Sequence, residues 1–229
     1  MNGINIKESL KEIHARIEQA KKNRPDDIQY IEPRLVAVSK TKSVELILEA
    51  YENGQRHFGE NYPQELISKA TNKQILENCP EIKWHFIGHL QSNKAAKIVT
   101  LPNLYIIETI DSKKIASILN TVLIKNASAS MNVYVQMNTS LEDEDCSHLK
   151  FCGLMTIGKY GYDTSLGPNP DFLSLVKSKE TVCQELKLPY SSVELSMGMS
   201  NDFEQAIELG SKNVRVGSSI FGFRERKTK

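Results

Sequence analysis

RLVAVSKTK, residues 34–42, sets an unbroken apolar run, Leu35 to Val38, directly ahead of a polar, lysine-bearing turn. A short Val-rich run without alternation suits a strand buried on both faces, which is the habit of parallel sheets. Outward from it the pattern recurs. RHFGE, KWHFIG, LYIIET, NVYVQMNT, LKFCGLMTIG, VELS and NVRVG bring the strand candidates to eight. Helical patterns lie between most of them, at 44–51 (closed by Gly54), 63–76 and 112–124. Ahead of the first strand, Ile6, Leu10, Ile13, Ile17 and Ala20 mark an amphipathic helix that ends before Pro25. Another helix starts at Asn169–Pro170, with Phe172, Leu175, Val176, the Lys179 stem, Val182, Cys183 and Leu186 as its core stripe. Asn201 and Glu204 have the spacing of a capping box, and Gly210 suits the end of that helix.

Strand–helix alternation with buried strands implies a parallel α/β sheet. Eight units in about 200 residues favour a closed (β/α)8 barrel over an open doubly wound sheet. No low-complexity linker divides the chain, so residues 1–229 are expected to form a single domain with an extra N-terminal helix.

Composition narrows the function. The chain is 40% hydrophobic and 25% charged, which excludes disordered and fibrous classes. Lys plus Arg number 29 against 28 Asp plus Glu, so charge gives no case for nucleic acid or an anionic membrane as partner. Cys79, Cys146, Cys152 and Cys183 make no C-x-x-C pair, and reduced cytosolic thiols are expected. No apolar run approaches the roughly 20 residues of a membrane span. Glu8, Glu12 and Glu18 argue against a transit peptide. A cytoplasmic protein is expected, with mitochondrial association left open.

In a barrel, function gathers where strands end. Lys40 follows the first strand and Gly59–Glu60–Asn61 the second, His85 lies in the third with Gly88 after it, SMGMS (196–200) follows the seventh, and Arg215 and Gly217 end the eighth, followed by Ser218 and Ser219. Gly198 and Gly217 would admit an anion to backbone N–H groups, and Ser200, Ser218 and Ser219 add hydroxyl donors. Partial desolvation at a barrel mouth would favour the neutral, nucleophilic amine of Lys40. A lysine nucleophile beside a phosphate cup suggests a Schiff base with a phosphorylated aldehyde, either pyridoxal phosphate or an aldolase substrate. His85 and His89 are four apart, which at a strand end does not make a metal pair, and no metal site is expected. The acidic run 142–145 reads as a solvated loop.

RLVAVSKTK, RHFGENY, EIKWHFIGHLQSNK, GLMTIG, ELSMGMSNDFEQAIELGS and VRVGSSIFG together resemble the pyridoxal phosphate homeostasis proteins, in order from about Arg34 to Arg224. That family is similar to the N-terminal barrel domain of alanine racemase. The resemblance implies an intracellular vitamin B6 buffer and supplier that binds pyridoxal 5'-phosphate as a Schiff base on Lys40. It further implies that Ser200, Gly217 and Ser218 hold the phosphate, Arg215 faces the pyridine nitrogen, and Asn61 and His85 line the ring. Recipients would be apoenzymes that need the cofactor, and the protein would be a monomer. No robust catalysis is expected, because a guanidinium does not readily protonate the pyridine. The rival reading is a weak pyridoxal-phosphate-dependent racemase or decarboxylase. The similar racemases draw a tyrosine from a second domain, and no such domain is expected here. Ser218 stands where many members have Thr, which keeps the hydroxyl.

One link departs from that pattern. Between NVYVQMNT and LKFCGLMTIG only 140–148 is available, whereas a parallel crossover normally takes a dozen or more residues and a helix. Two explanations are open: the chain truly lacks that crossover helix, or the sequence omits residues there. Seven of the eight outer helices are expected, with an extended or poorly ordered link near 142–146 and apolar flanks left uncovered.

Overall fold

The computed structural model describes residues 5–127, 129–137, 146–159 and 161–223. Its eight strands are β1 (Arg34–Val38), β2 (His57–Glu60), β3 (Lys83–Phe86), β4 (Leu104–Ile110), β5 (Met131–Gln136), β6 (Leu149–Met155), β7 (Glu194–Met199) and β8 (Asn213–Val216). All pair in parallel and in chain order. β8 returns to β1, with Arg34 opposite Asn213 and Ala37 opposite Val216, and closes the barrel. All eight expected strands are present. Their outward residues, among them Leu35, Ala37, Phe58, Trp84, Phe86, Ile107, Val214 and Val216, join the main apolar cluster with the helices.

The helices are α1 (Ile6–Lys22), α2 (Val44–Glu52), α3 (Pro63–Ala70), α4 (Lys73–Asn78), α5 (Ser92–Ile98), α6 (Lys113–Lys125), α7 (Pro170–Glu185), α8 (Phe203–Glu208) and α9 (Ser218–Phe221). Asn5 caps α1 by accepting the Glu8 N–H, and the expected stripe from Ile6 to Ala20 is buried. Several local expectations need correction. The pattern at 63–76 is two helices, because the Asn72 side chain caps a new one by accepting from Gln74 and Ile75. Leu186 lies one residue past the end of α7 and is 57% exposed, so it leaves the core stripe. Asn201 and Glu204 form no capping box: α8 begins one residue later, and Asp202 spends its carboxylate on the Met199 N–H at 2.6 Å. The short α5 and α9 were not expected, since SNKAAKI and SSIF carry no clear apolar period.

Among the described residues no helix lies between β5 and β6, while every other strand is followed by one. Most of the expected extended link, 140–145, falls outside the described residues. Its last turn is anchored, with the His148 N–H donating to Asn120 Oδ1 of α6 at 2.8 Å. Leu149 and Phe151 of β6 are half-buried. No described helix is long and apolar enough to cross a membrane.

A buried ionic cluster fixes the ends of β1 and β2 under α3. Lys69 Nζ reaches the Ser39 carbonyl at 2.8 Å, Glu60 Oε1 at 2.8 Å and Glu65 Oε2 at 3.0 Å. Ser39 Oγ donates to Glu60 at 2.6 Å. Burial pushes the Glu60 carboxyl up, against the pull of Lys69 and Ser39. Lys69→Met would leave Glu60 buried without its cation and is expected to cost about 3–5 kcal/mol in denaturant unfolding. Adding Glu60→Gln should recover part of that loss. An unchanged midpoint in the single variant would show that the cluster does not hold this end of the barrel.

Candidate functional site

Lys40 is half-buried and sits in a tight turn just past β1, in which the Lys42 N–H bonds the Ser39 carbonyl at 3.0 Å. Its neighbours are each tied down. Lys69 holds Ser39, and Glu65 accepts the Thr41 N–H at 2.7 Å. Lys42 Nζ binds the carbonyls of Phe221 and Gly222 at 2.7 and 2.9 Å, capping the C-terminal end of α9. Thr41 adopts φ 63°, a conformation unfavourable for a β-branched residue and found mostly where surrounding contacts enforce it. The sequence reading chose Lys40 as the residue directly after the strand, and in the structure the nearby Lys42 amine is taken up by the last helix.

At the neighbouring strand ends, the Gly217 N–H donates to Ser200 Oγ at 3.3 Å, so Ser200 and Gly217 are brought together, with Ser218 opening α9 beside them. Gly217 also lies against β1: a Cβ there would stand 3.3 Å from both Cβ and carbonyl oxygen of Val38. Gly198 has φ 94°, and its missing side chain lets β7 press onto α8, since an added Cβ would lie 2.6 Å from Ala206 Cβ. Asn61 rests by its backbone on Gly88, where a Cβ would fall 1.8 Å from the Asn61 carbonyl oxygen. Asn61 Oδ1 is a buried acceptor with no partner among the described residues.

His85 and Arg215 lie in the barrel interior. Arg215 Nη1 donates to Ser196 Oγ at 2.5 Å and Nη2 to the Thr156 carbonyl at 2.8 Å. Ser196 Oγ donates to Glu108 Oε2 at 2.5 Å. Glu108 Oε1 takes the Asn213 amide at 2.7 Å and His85 Nδ1 at 2.6 Å. His85 Nε2 meets His57 Nδ1 at 2.8 Å. Both ring nitrogens of His85 are therefore engaged within a fully buried site. His89 pairs separately with Asp111, so the two histidines share no ligand position.

The electrostatics assign the protons. Burial alone would raise the Glu108 carboxyl, but His85, Arg215 and Ser196 outweigh it and hold it below the ordinary carboxylate range. Burial lowers His85, with Glu108 opposing, and burial together with His85, Arg34 and Lys83 lowers His57 to about 2. Both imidazoles are neutral at pH 7. An ionised Glu108 only accepts, so His85 carries its proton on Nδ1 and His57 on its own Nδ1. Burial also lowers Arg215, against the attraction of Glu108 and Asp202. Glu108 and Asn213 were not singled out from the sequence, and Ser196 entered only as the first residue of the run SMGMS. The available signal was an acidic residue inside the apolar run LYIIET, where a buried charge demands partners.

A closed sheet of eight parallel strands in chain order, alternating with helices, is a (β/α)8 barrel. An alanine racemase of Clostridium difficile, solved with cycloserine, superposes with a TM-score of 0.62 over 93% of this chain and 59% of its own, at 13% identity, a likeness of fold alone. No family model matches the chain. Its sequence is 50% identical to the pyridoxal phosphate homeostasis protein of Bos taurus, covering 96% of this chain and 88% of that one. That match runs over 240 residues, more than the 229 of this chain, so the bovine protein carries residues inside it that this chain lacks. PipY of Synechococcus elongatus, solved with PLP bound, is 29% identical with a TM-score of 0.72, over 95% of this chain and all of its own. The chain belongs to the pyridoxal phosphate homeostasis protein family.

The neutral His57 gives a pH signature. Its folded value near 2 lies below the ordinary 6.5, so the unfolded chain binds more protons between those limits and stability rises with pH there. Acidification from pH 6.5 to 5 should therefore destabilise the protein, with His57 contributing no more than about 1.4 kcal/mol per pH unit. His57→Gln, which keeps a donor, should flatten the slope in urea titrations. An unchanged slope would mean that His57 is not held neutral.

Proposed function

We propose that this chain binds pyridoxal 5'-phosphate and acts in vitamin B6 homeostasis, buffering the reactive aldehyde and supplying it to apoenzymes. The observation that carries this reading is the meeting of the anchored Lys40 turn with the Ser200–Gly217 contact through β1–β8 pairing. The family name and the PLP-bound PipY supply the ligand's identity. The residues fit that ligand. Lys40 supplies the amine that holds the aldehyde. Ser200, Gly217 and Ser218 hold the phosphate, with hydroxyl and backbone donors. Arg215 would face the pyridine nitrogen, and Asn61 and His85 would line the ring.

The bound ligand supplies an electrophilic carbon and a ring able to withdraw electrons. The protein restrains that chemistry. Arg215 is held as a cation that only donates, so the ring nitrogen keeps its lone pair and remains a weak electron sink. The reading is completed by a single domain over 1–229, working as a monomer in the cytoplasm.

Lys40→Ala should abolish the yellow absorbance of the lysine-bound ligand while leaving weak binding through the phosphate. Full retention of that band would move the attachment to another lysine. Ser200→Ala and Ser218→Ala each remove a donor to a charged acceptor worth about 1.5–3 kcal/mol where buried. Each should weaken pyridoxal 5'-phosphate by roughly ten- to a hundredfold in equilibrium titration and pyridoxal far less. Equal losses for both ligands would show that these serines do not contact phosphate.

A further inference from the structure

The barrel interior holds a carboxylate that no part of the ligand reading uses. Glu108 is fully buried on β4, yet its three described partners come from other strands: His85 on β3, Ser196 on β7 and Asn213 on β8. All three donate to it. That exhausts the single proton of Ser196, whose oxygen is left to accept, and it accepts from Arg215 Nη1 at 2.5 Å and, at 3.4 Å, from Asn213 Nδ2. The polarity of the chain is therefore fixed from His57 through His85 to Glu108 and from Arg215 through Ser196 to the same carboxylate. The guanidinium is nearly as buried as the acid, and the carboxylates that face it are Glu108 and Asp202. Asp202 is already bonded to the Met199 N–H, and burial raises its carboxyl. Glu108 is thus the charge that keeps Arg215 compensated in an interior where an unpaired cation is costly.

We propose that Glu108 is a positioning residue of the ligand site: through Ser196 it fixes the orientation of the Arg215 guanidinium and supplies its counter-charge. Together with the Thr156 carbonyl on Nη2, this grip engages both terminal nitrogens of the guanidinium. The proposal rests on the reading of Arg215 as the residue that faces the pyridine nitrogen. His85 and His57 extend the grip, since a neutral His85 donating to Glu108 is itself oriented by His57.

The test uses Glu108→Gln, which keeps shape and removes charge, Glu108→Asp, which keeps charge, and Ser196→Ala, which removes the bridge. Circular dichroism melting establishes that each is folded. The first readout needs no ligand: 15N NMR of the guanidinium. A clamped Arg215 gives resolved, slowly exchanging Nη resonances, which Glu108→Gln and Ser196→Ala should collapse and Glu108→Asp should partly retain. The second readout is affinity for pyridoxal 5'-phosphate against its 1-deaza analogue, which has carbon at the ring nitrogen position. Glu108→Gln should weaken pyridoxal 5'-phosphate by about tenfold or more, and the analogue by no more than about twofold. Glu108→Asp should recover part of the loss. If Glu108→Gln does not fold, the same pattern is expected of Ser196→Ala. Folded variants that bind both ligands as the parent does, or lose both equally, would overturn the proposal, as would unchanged guanidinium resonances. A parent chain that binds neither ligand would defeat the reading under Proposed function instead, and the NMR experiment would still decide the link between Glu108 and Arg215.

Discussion

The parallel pairing of β8 with β1 is the constraint on which everything else hangs. It joins strands from opposite ends of the sequence, with Val36 opposite Arg215 and Ala37 opposite Val216. The same register sets Gly217 against Val38 and brings the turn that bears Lys40 alongside the start of α9. Lys42 then locks the closure from outside by gripping the carbonyls that end α9. An open sheet of the same eight strands would leave Lys40 at one edge and Ser200, Gly217 and Ser218 at the other.

Closure also encloses charge. Barrel interiors are usually filled by layers of branched aliphatic side chains. Here Arg34, Tyr134, Glu194 and Asn213 form one polar group and His57, His85, Glu108, Ser196 and Arg215 another, with Asn213 joining them. Such groups contribute little net stability, since desolvation offsets much of the attraction, but removing one partner is costly. Burying them commits the strands to a single register, because a slip by one residue would turn Glu108 or Arg215 into the apolar shell. The interior gives a rigid support at the cost of stability that an aliphatic core would have supplied.

Much of this was legible in the sequence. The eight strands read directly from their apolar runs, and the helices at α1, α2, α6 and α7 from apolar period and caps, because burial on defined faces leaves a periodic mark. The strand-end rule picked out Lys40, Asn61, Arg215 and the serines without any structure. What escaped notice was of two kinds. Short helices such as α5 and α9 bury too few residues to imprint a period, and Asn72 divides a pattern that looks continuous. The interior network escaped because its bonds join β3, β4, β7 and β8, and no local pattern records a contact between Glu108 and Ser196. His85 was visible as a candidate, but its enclosure between His57 and Glu108 was not.

The central proposal is that Lys40, on the turn that barrel closure brings alongside the ends of β7 and β8, is the lysine that takes the aldehyde. It is tested most directly by borohydride reduction of the protein with pyridoxal 5'-phosphate, followed by proteolysis and mass spectrometry of the modified peptides. The account predicts stoichiometric pyridoxyl labelling on the peptide containing Lys40, with Lys42 unmodified because its amine is engaged by α9. Labelling at Lys42 or Lys94, or spread over surface lysines without preference, would contradict it.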